Sequence, residues 1–432
     1  GVLGQTPTSL FAVAVAFAPA LLILVLGVRF AVVGQRCGAA DRLSLLKDAF
    51  FLLGAGLEVP LAILIPAVDF FRKQYSGEMI YDVTFAFDPA CLAITLLLLA
   101  GMDTSMGPSR PRVLLGFALE AVLLAAICLL PGVEPKARAA ALTCAAVAVL
   151  GIVSGLQDFS VFGYAARIDS ACVGSLTAGM YFCAFITSVA RVGTKLLDAP
   201  CDVAYFGIGV AWCTNCCIVQ ACVVNKHLKG QLGHPEGKSS ANTSDMQADA
   251  CEVEPRDSNC TVFWDISWHI ALVFLTLATT YAAVPALSST LTSHYAALVR
   301  QDWFHVMLVL EHETADLLGA YLSSPGGGLS APRARLWTLF SVLPRVASVA
   351  LLAVYARAGW AWRFDLIPHT AVAFLGITNG YITAQAGEGA VDVLGGRRQQ
   401  RAGELISITF TMGSAVGTAV AFAMNRFGVF PS

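Results

Sequence analysis

Apolar residues run along this chain in long unbroken stretches separated by short polar segments, without the alternation that marks a strand. A helix crossing a bilayer needs roughly 20 such residues, whereas a closed barrel would alternate, so the pattern predicts helical membrane spans. The runs give six spans at 46–70, 86–102, 113–131, 138–165, 172–194 and 202–225. Five more follow at 262–287, 302–323, 336–356, 367–386 and 403–424. Between the two sets, Asn225–Asn259 is rich in Lys, Asp, Ser and Glu and reads as a polar linker. An apolar segment at 8–34 is long enough to be an extra first span or a signal-anchor. The expected organisation is an N-terminal apolar segment with a short linker over 1–45 and a six-helix bundle over 46–225. A cytoplasmic linker over 226–261 then leads into a five-helix bundle over 262–432.

Composition supports this pattern. Hydrophobic residues make up 57% of the chain and charged ones 13%, and the mean hydropathy is +0.70. These values exclude an ordinary soluble domain and leave an all-α polytopic membrane protein, eleven spans split six and five. A formal net charge of −2 with no basic stripe gives no reason to expect a nucleic-acid partner. Lys and Arg favour the loops on the linker's side, which orients that linker and Arg397, Arg398 and Arg401 toward the cytoplasm. The chain has no GxSxG, HExxH or phosphate-loop pattern, so neither an enzyme nor a cofactor is expected. Cys213, Cys216 and Cys217 form a mid-span cluster and read as small packing residues.

One stretch departs from the apolar pattern. Gln301–Ser323 carries His305, Glu311, His312, Glu313 and Asp316 among Phe, Met, Leu and Val. On a helix, His305, His312, Asp316 and Gly319 fall near one face, with Glu313 on its flank. A carboxylate at mid-bilayer depth costs roughly 2.5–3.5 kcal/mol, so it persists only toward a bundle interior or a water-filled path. A cavity-lining helix is the prediction; an amphipathic helix lying at the membrane surface is the competing reading. His305 and His312 stand two turns apart, too far for one tetrahedral centre without a partner helix, so no metal is expected. Glu58, between Gly56 and Pro60, is a second deep carboxylate, either facing a cavity or bonded to backbone or a distant Lys. Asp158 also sits in or close to a span, while Arg167, Asp169, Arg191 and Lys195 are expected mostly at loop ends in water.

Several short motifs recur in order along 46–425. They are Gly54, Gly56 and Pro60 in a span with an aromatic end, Gly155-Leu156-Gln157 before Phe162-Gly163, and Thr177-Ala178-Gly179. Phe274-Leu275-Thr276 with Val284-Pro285 follows, then Ala315-Asp316 with Gly319, Arg345, Thr378-Asn379-Gly380-Tyr381 and Gly413-x-x-x-Gly417. Together they resemble the equilibrative nucleoside transporter family, and the chain is identified as a divergent member of it. Pro60-Leu61-Ala62 stands where that family usually has Pro-Trp-Asn, and Gly179-Met180 where it has Gly-Gln. Its Asp-x-x-Gly-Arg is Asp316-Leu317-Leu318-Gly319-Ala320 here.

The resemblance implies a two-bundle fold like that of the major facilitator superfamily. It also implies facilitative movement of nucleosides or nucleobases by alternating access, in a monomer within a lipid bilayer, the plasma membrane first. A proton-coupled carrier of the same fold and a non-transporting diverged homologue are the alternatives. A site for a nucleoside needs apolar faces for the base, an amide for its edge and a carboxylate for the ribose hydroxyls. On that reading Asp316 takes the ribose, Glu313 lies beside it, and Leu61, Phe162 and Met180 wall the base. Gln157 either meets the base edge or bonds helix to helix. With Ala320 in place of the family's arginine, Arg345 and His312 are the expected cationic partners of Asp316. Glu58, Pro60, Gly179, Gly319 and Asn379 are expected at gates and close helix contacts, and Gly151-x-x-x-Gly155 at a packing seam.

Overall fold

The computed structural model describes residues 42–75, 79–101, 110–196, 202–224, 259–284, 286–291, 293, 303–323, 329–358, 365–395 and 397–427. The segment at 8–34, most of the linker over 226–261, Pro285 and Gln301 lie outside the described residues. Among the described residues the chain is helical, without strands, and eight helices are long and apolar enough to cross a membrane.

Helix α1 (Arg42–Leu64) contains Pro60 and runs on through a tight turn at Ile65–Ala67 into Val68–Gln74. The regular hydrogen-bond ladder is interrupted there, and the Ile63 carbonyl accepts from the Tyr205 hydroxyl at 3.0 Å. Helices α2 (Met79–Gly101), α3 (Arg110–Leu129) and α4 (Lys136–Ile168) follow. Then come α5 (Ser170–Leu196) and α6 (Asp202–Val219). Beyond Asn259–Asp265 the chain forms α7 (Ser267–Ala283), α8 (Trp303–Ser323) and α9 (Ala331–Ala358). It ends with α10 (Leu366–Asp392) and α11 (Arg397–Arg426). Helices α2 and α11 start well before their apolar runs, because polar residues inside the fold need not break a helix.

Helix α1 packs on α5 and α6, α2 on α4, and α3 on α4 and α6. In the second half α8 packs on α10, and α7 on α9, α10 and α11. The halves meet where α5 touches α8 and α10, and where α11 touches α2 and α4. Lipid gives helices no hydrophobic reason to associate, so close backbone approach between small residues matters more than in water. A methyl at Gly179 would run into the Phe51 carbonyl, and one at Gly54 into that of Leu176, which seats α5 on α1. In the same way Gly319 faces the Ile377 carbonyl and Gly380 that of Asp316, which seats α8 on α10. Gly151 and Gly155 admit α2, and Gly413 and Gly417 admit α7. Large exposed side chains such as Leu115 and Leu129 on α3 and Phe340 and Leu343 on α9 mark the surfaces suited to lipid.

One expectation changes. Arg191 is buried, pairing with Asp69 at 2.6 Å and Asp202 at 2.9 Å, while Lys195 reaches Asp69 at 3.2 Å. The start of α1's extension, the end of α5 and the start of α6 converge there and hold the charges together rather than leaving them in water. Helix α8 has the burial expected of a cavity-lining helix and not of one lying at a surface: His305, His312, Glu313 and Asp316 are all buried. The cysteine cluster behaves as packing, with Cys216 donating to the Leu52 carbonyl at 3.4 Å and Cys217 to that of Leu114 at 3.6 Å.

Candidate functional site

A cavity of about 100 Å³, roughly room for several waters, lies between the two halves. Its wall takes residues from α1, α2, α4 and α5 on one side and α7, α8, α10 and α11 on the other. Asp316 is on that wall, with His312 and Glu313 beside it. Leu61, Met180, Glu58 and Asn379 line it too. Glu58 makes no hydrogen bond or ion pair with the described residues, so the alternative of a backbone- or lysine-bonded carboxylate is not what is observed. Pro60, Gly179 and Gly319 stand off the cavity and serve helix shape and approach.

Asp316 is hydrogen-bonded by an amide, with His312 at ion-pair distance, and Arg345 does not touch it. The Asn379 nitrogen donates to both carboxylate oxygens, at 2.9 and 3.0 Å, and His312 Nδ1 lies 3.7 Å from Oδ2. The Asn379 oxygen accepts from the Thr280 hydroxyl at 3.1 Å. Arg345, expected as the direct partner, is fully buried behind this layer. It donates to the Thr276 carbonyl at 2.9 Å, the Leu375 carbonyl at 3.0 Å and the Thr279 hydroxyl at 3.0 Å. It also donates to the hydroxyls of Thr280 and Thr378. The guanidinium thus meets Asp316 only through Thr280 and Asn379, because α9 stacks on α7 and α10 and does not reach α8's acidic face.

Two expected wall residues lie elsewhere. Gln157 is fully buried between α3 and α4. With its amide oriented to suit its neighbours, it donates to Glu120 Oε2 at 3.1 Å and accepts from the Phe117 N–H at 3.0 Å. Its environment is the helix-to-helix bond, not a base edge. Phe162 stands behind the wall, its ring 5.5 Å from that of Phe410, which does line the cavity.

Sequence reasoning did not assign Asp88, Asp158, Tyr181, Tyr281 and Phe410 to the site, and all are on the wall. Asp88 accepts from the Thr418 hydroxyl, joining α2 to α11, and Tyr181 and Thr383 share a hydrogen bond that joins α5 to α10. Asp158 Oδ1 has no hydrogen-bond partner among the described residues. The apolar run begins only at 86, two residues before Asp88, whereas the helix starts at Met79 and carries Asp88 well inside it. The tyrosines could have been found as hydroxyls inside otherwise apolar spans.

Residues 144–426 match the nucleoside transporter family. The chain belongs to that family. It is 23% identical over 349 residues to equilibrative nucleotide transporter 8 of Arabidopsis thaliana, covering 77% of this chain and 83% of that one. It is 21% identical over 445 residues to equilibrative nucleoside transporter 4 of Homo sapiens, covering 88% and 83%. Among solved structures, the human organic anion transporter MFSD10 (TETRAN) overlays with a TM-score of 0.52 at 15% identity. That overlay covers 91% of this chain and 96% of the transporter, and the likeness concerns the fold alone. A nucleoside transporter family chain with several bilayer-length apolar helices is a multi-pass membrane transport protein taking a small-molecule substrate, not an enzyme.

Proposed function

We propose that this protein carries nucleosides or nucleobases down their gradient, exposing the central cavity alternately to either side of the membrane. The observation that carries the reading is Asp316 on a cavity shared by both halves, together with Leu61, Met180 and the rings of Tyr181 and Tyr281. A carboxylate suits ribose hydroxyls and the apolar and aromatic side chains suit a flat base. The bundles over 46–225 and 262–432 are the two bodies that rock, in a monomer, in the plasma membrane. Saturable uptake of labelled adenosine, inosine, uridine or hypoxanthine into proteoliposomes, lost in Asp316→Ala, is the expected result. No saturable uptake of any purine or pyrimidine overturns it.

A second reading is proton coupling. It rests on Glu58, Asp88, Asp158, Glu313 and Asp316 lining one cavity whose described lining residues include no Lys or Arg. Raising external pH suppresses uptake if protons drive it and leaves uptake unchanged if they do not.

A further inference from the structure

We propose that His312, Glu313 and Asp316 form a binding site for one divalent transition-metal ion of the zinc class. Their donor atoms all lie within 4.8 Å of one another. His312 Nδ1 is 3.4 Å from Glu313 Oε1 and 3.7 Å from Asp316 Oδ2. Donors about 2.1 Å from a tetrahedral ion stand roughly 3.4 Å apart, so the His312–Glu313 pair already has that spacing and the other two pairs need only small side-chain rotations to reach it. This is a different set from the two-turn histidine pair, since the ligands sit within about one turn of α8 and His305 is not among them.

The histidine supplies the independent sign. His312 is 3% exposed, lines the cavity, and neither of its ring nitrogens makes a hydrogen bond. Nε2 has no partner and Nδ1 has only the two carboxylates at ion-pair distance, an incomplete set of contacts for a buried imidazole, and a metal would engage the Nδ1 lone pair that faces them. Asn379 holds the Asp316 carboxylate through both oxygens, the kind of outer contact that orients a ligating carboxylate. Glu58, Asp88 and Asp158 face the same cavity, and the described lining has no Lys or Arg, so its field favours a cation. Three protein donors leave a coordination position to be filled from the cavity, by water or by a cargo oxygen.

The site can be tested without transport, so its failure and that of the nucleoside reading are separable. The full chain, purified in detergent without nucleoside, is titrated with Zn²⁺ by calorimetry and with Co²⁺ by visible absorption. One ion per chain is expected, with Co²⁺ giving the intense bands of a low-coordinate site. His312→Gln and Asp316→Ala should weaken binding about tenfold or more. Asp316→Cys, which loses the same carboxylate contacts but supplies a thiolate, should keep it. Glu311→Gln should bind as wild type, because that carboxylate pairs with His369 away from the cavity. Absence of one-to-one binding in the wild type, undiminished binding in His312→Gln, or equal loss in Asp316→Ala and Asp316→Cys would overturn the proposal.

Discussion

The carboxamide of Asn379 is clamped between Asp316, to which its nitrogen donates twice, and Thr280, from which its oxygen accepts. One amide on α10 therefore joins α8 to α7 at the cavity wall. Replacing it by a side chain of similar size without polar atoms, Asn379→Leu, leaves a buried carboxylate short of two hydrogen bonds. The expected cost is about 1–3 kcal/mol of stability, read as a lowered Tm in detergent. Nucleoside uptake should fall by about tenfold or more if the amide also fixes how Asp316 meets cargo, tenfold being about 1.4 kcal/mol. Unchanged Tm and uptake would show that Asp316 does not depend on this bond.

Arg345 and Asp316 communicate through a chain of hydrogen bonds rather than in contact, and this makes a sharper test than a simple double mutant. The cycle of Arg345→Ala with Asp316→Ala should give a coupling energy of about 0.5–3 kcal/mol in thermal or denaturant unfolding. Repeated in a Thr280→Val background, the coupling should disappear, because that substitution removes the hydroxyl that links the guanidinium to Asn379. Coupling that survives Thr280→Val would mean a direct charge interaction between the two residues.

Much of this arrangement was legible in the sequence, and the parts that were not share a cause. Asp316 could be read because a carboxylate in the middle of an apolar run has few places to go. The small-residue seams could be read because spacing along a helix fixes a face, and Gly151, Gly155, Gly413 and Gly417 do sit where neighbouring backbones approach. What spacing cannot supply is which neighbour a face meets. Gln157 and Arg345 were rightly placed inside spans, yet α3 in one case and α7 with α10 in the other occupy the positions expected for cargo and for Asp316. Asp88 and Asp158 went unassigned because their roles depend on α11 and on a cavity formed by distant helices.

The seam between α8 and α10 should be intolerant of a single methyl. A Cβ on Gly380 would meet the backbone carbonyl of Asp316, which cannot move without shifting the helix carrying the cavity acids. Gly380→Ala should cost about 1–3 kcal/mol or more and reduce uptake with it. Gly207, on α6, has nothing within 4 Å of the point a methyl would occupy, so Gly207→Ala should stay within about 0.5 kcal/mol of wild type. Comparing the two Tm values checks the claim, and equal effects would contradict it.

Asp88 and Thr418 form a hydrogen bond across the two halves, away from the contact that Asp316 makes with Asn379. If the halves rock, a bond between α2 and α11 has to survive or break in each cycle, so its loss should alter turnover rather than cargo affinity. Thr418→Val keeps the shape of the side chain and removes the donor, whereas Thr418→Ser keeps the donor. The expected result is a changed maximal uptake rate for Thr418→Val at nearly constant KM, with Thr418→Ser close to wild type. A raised KM at constant maximal rate would instead identify Asp88 as a group that touches cargo, because a mutation of that kind removes binding common to ground state and transition state. The pair therefore distinguishes a latch between moving bodies from a second carboxylate of the binding site.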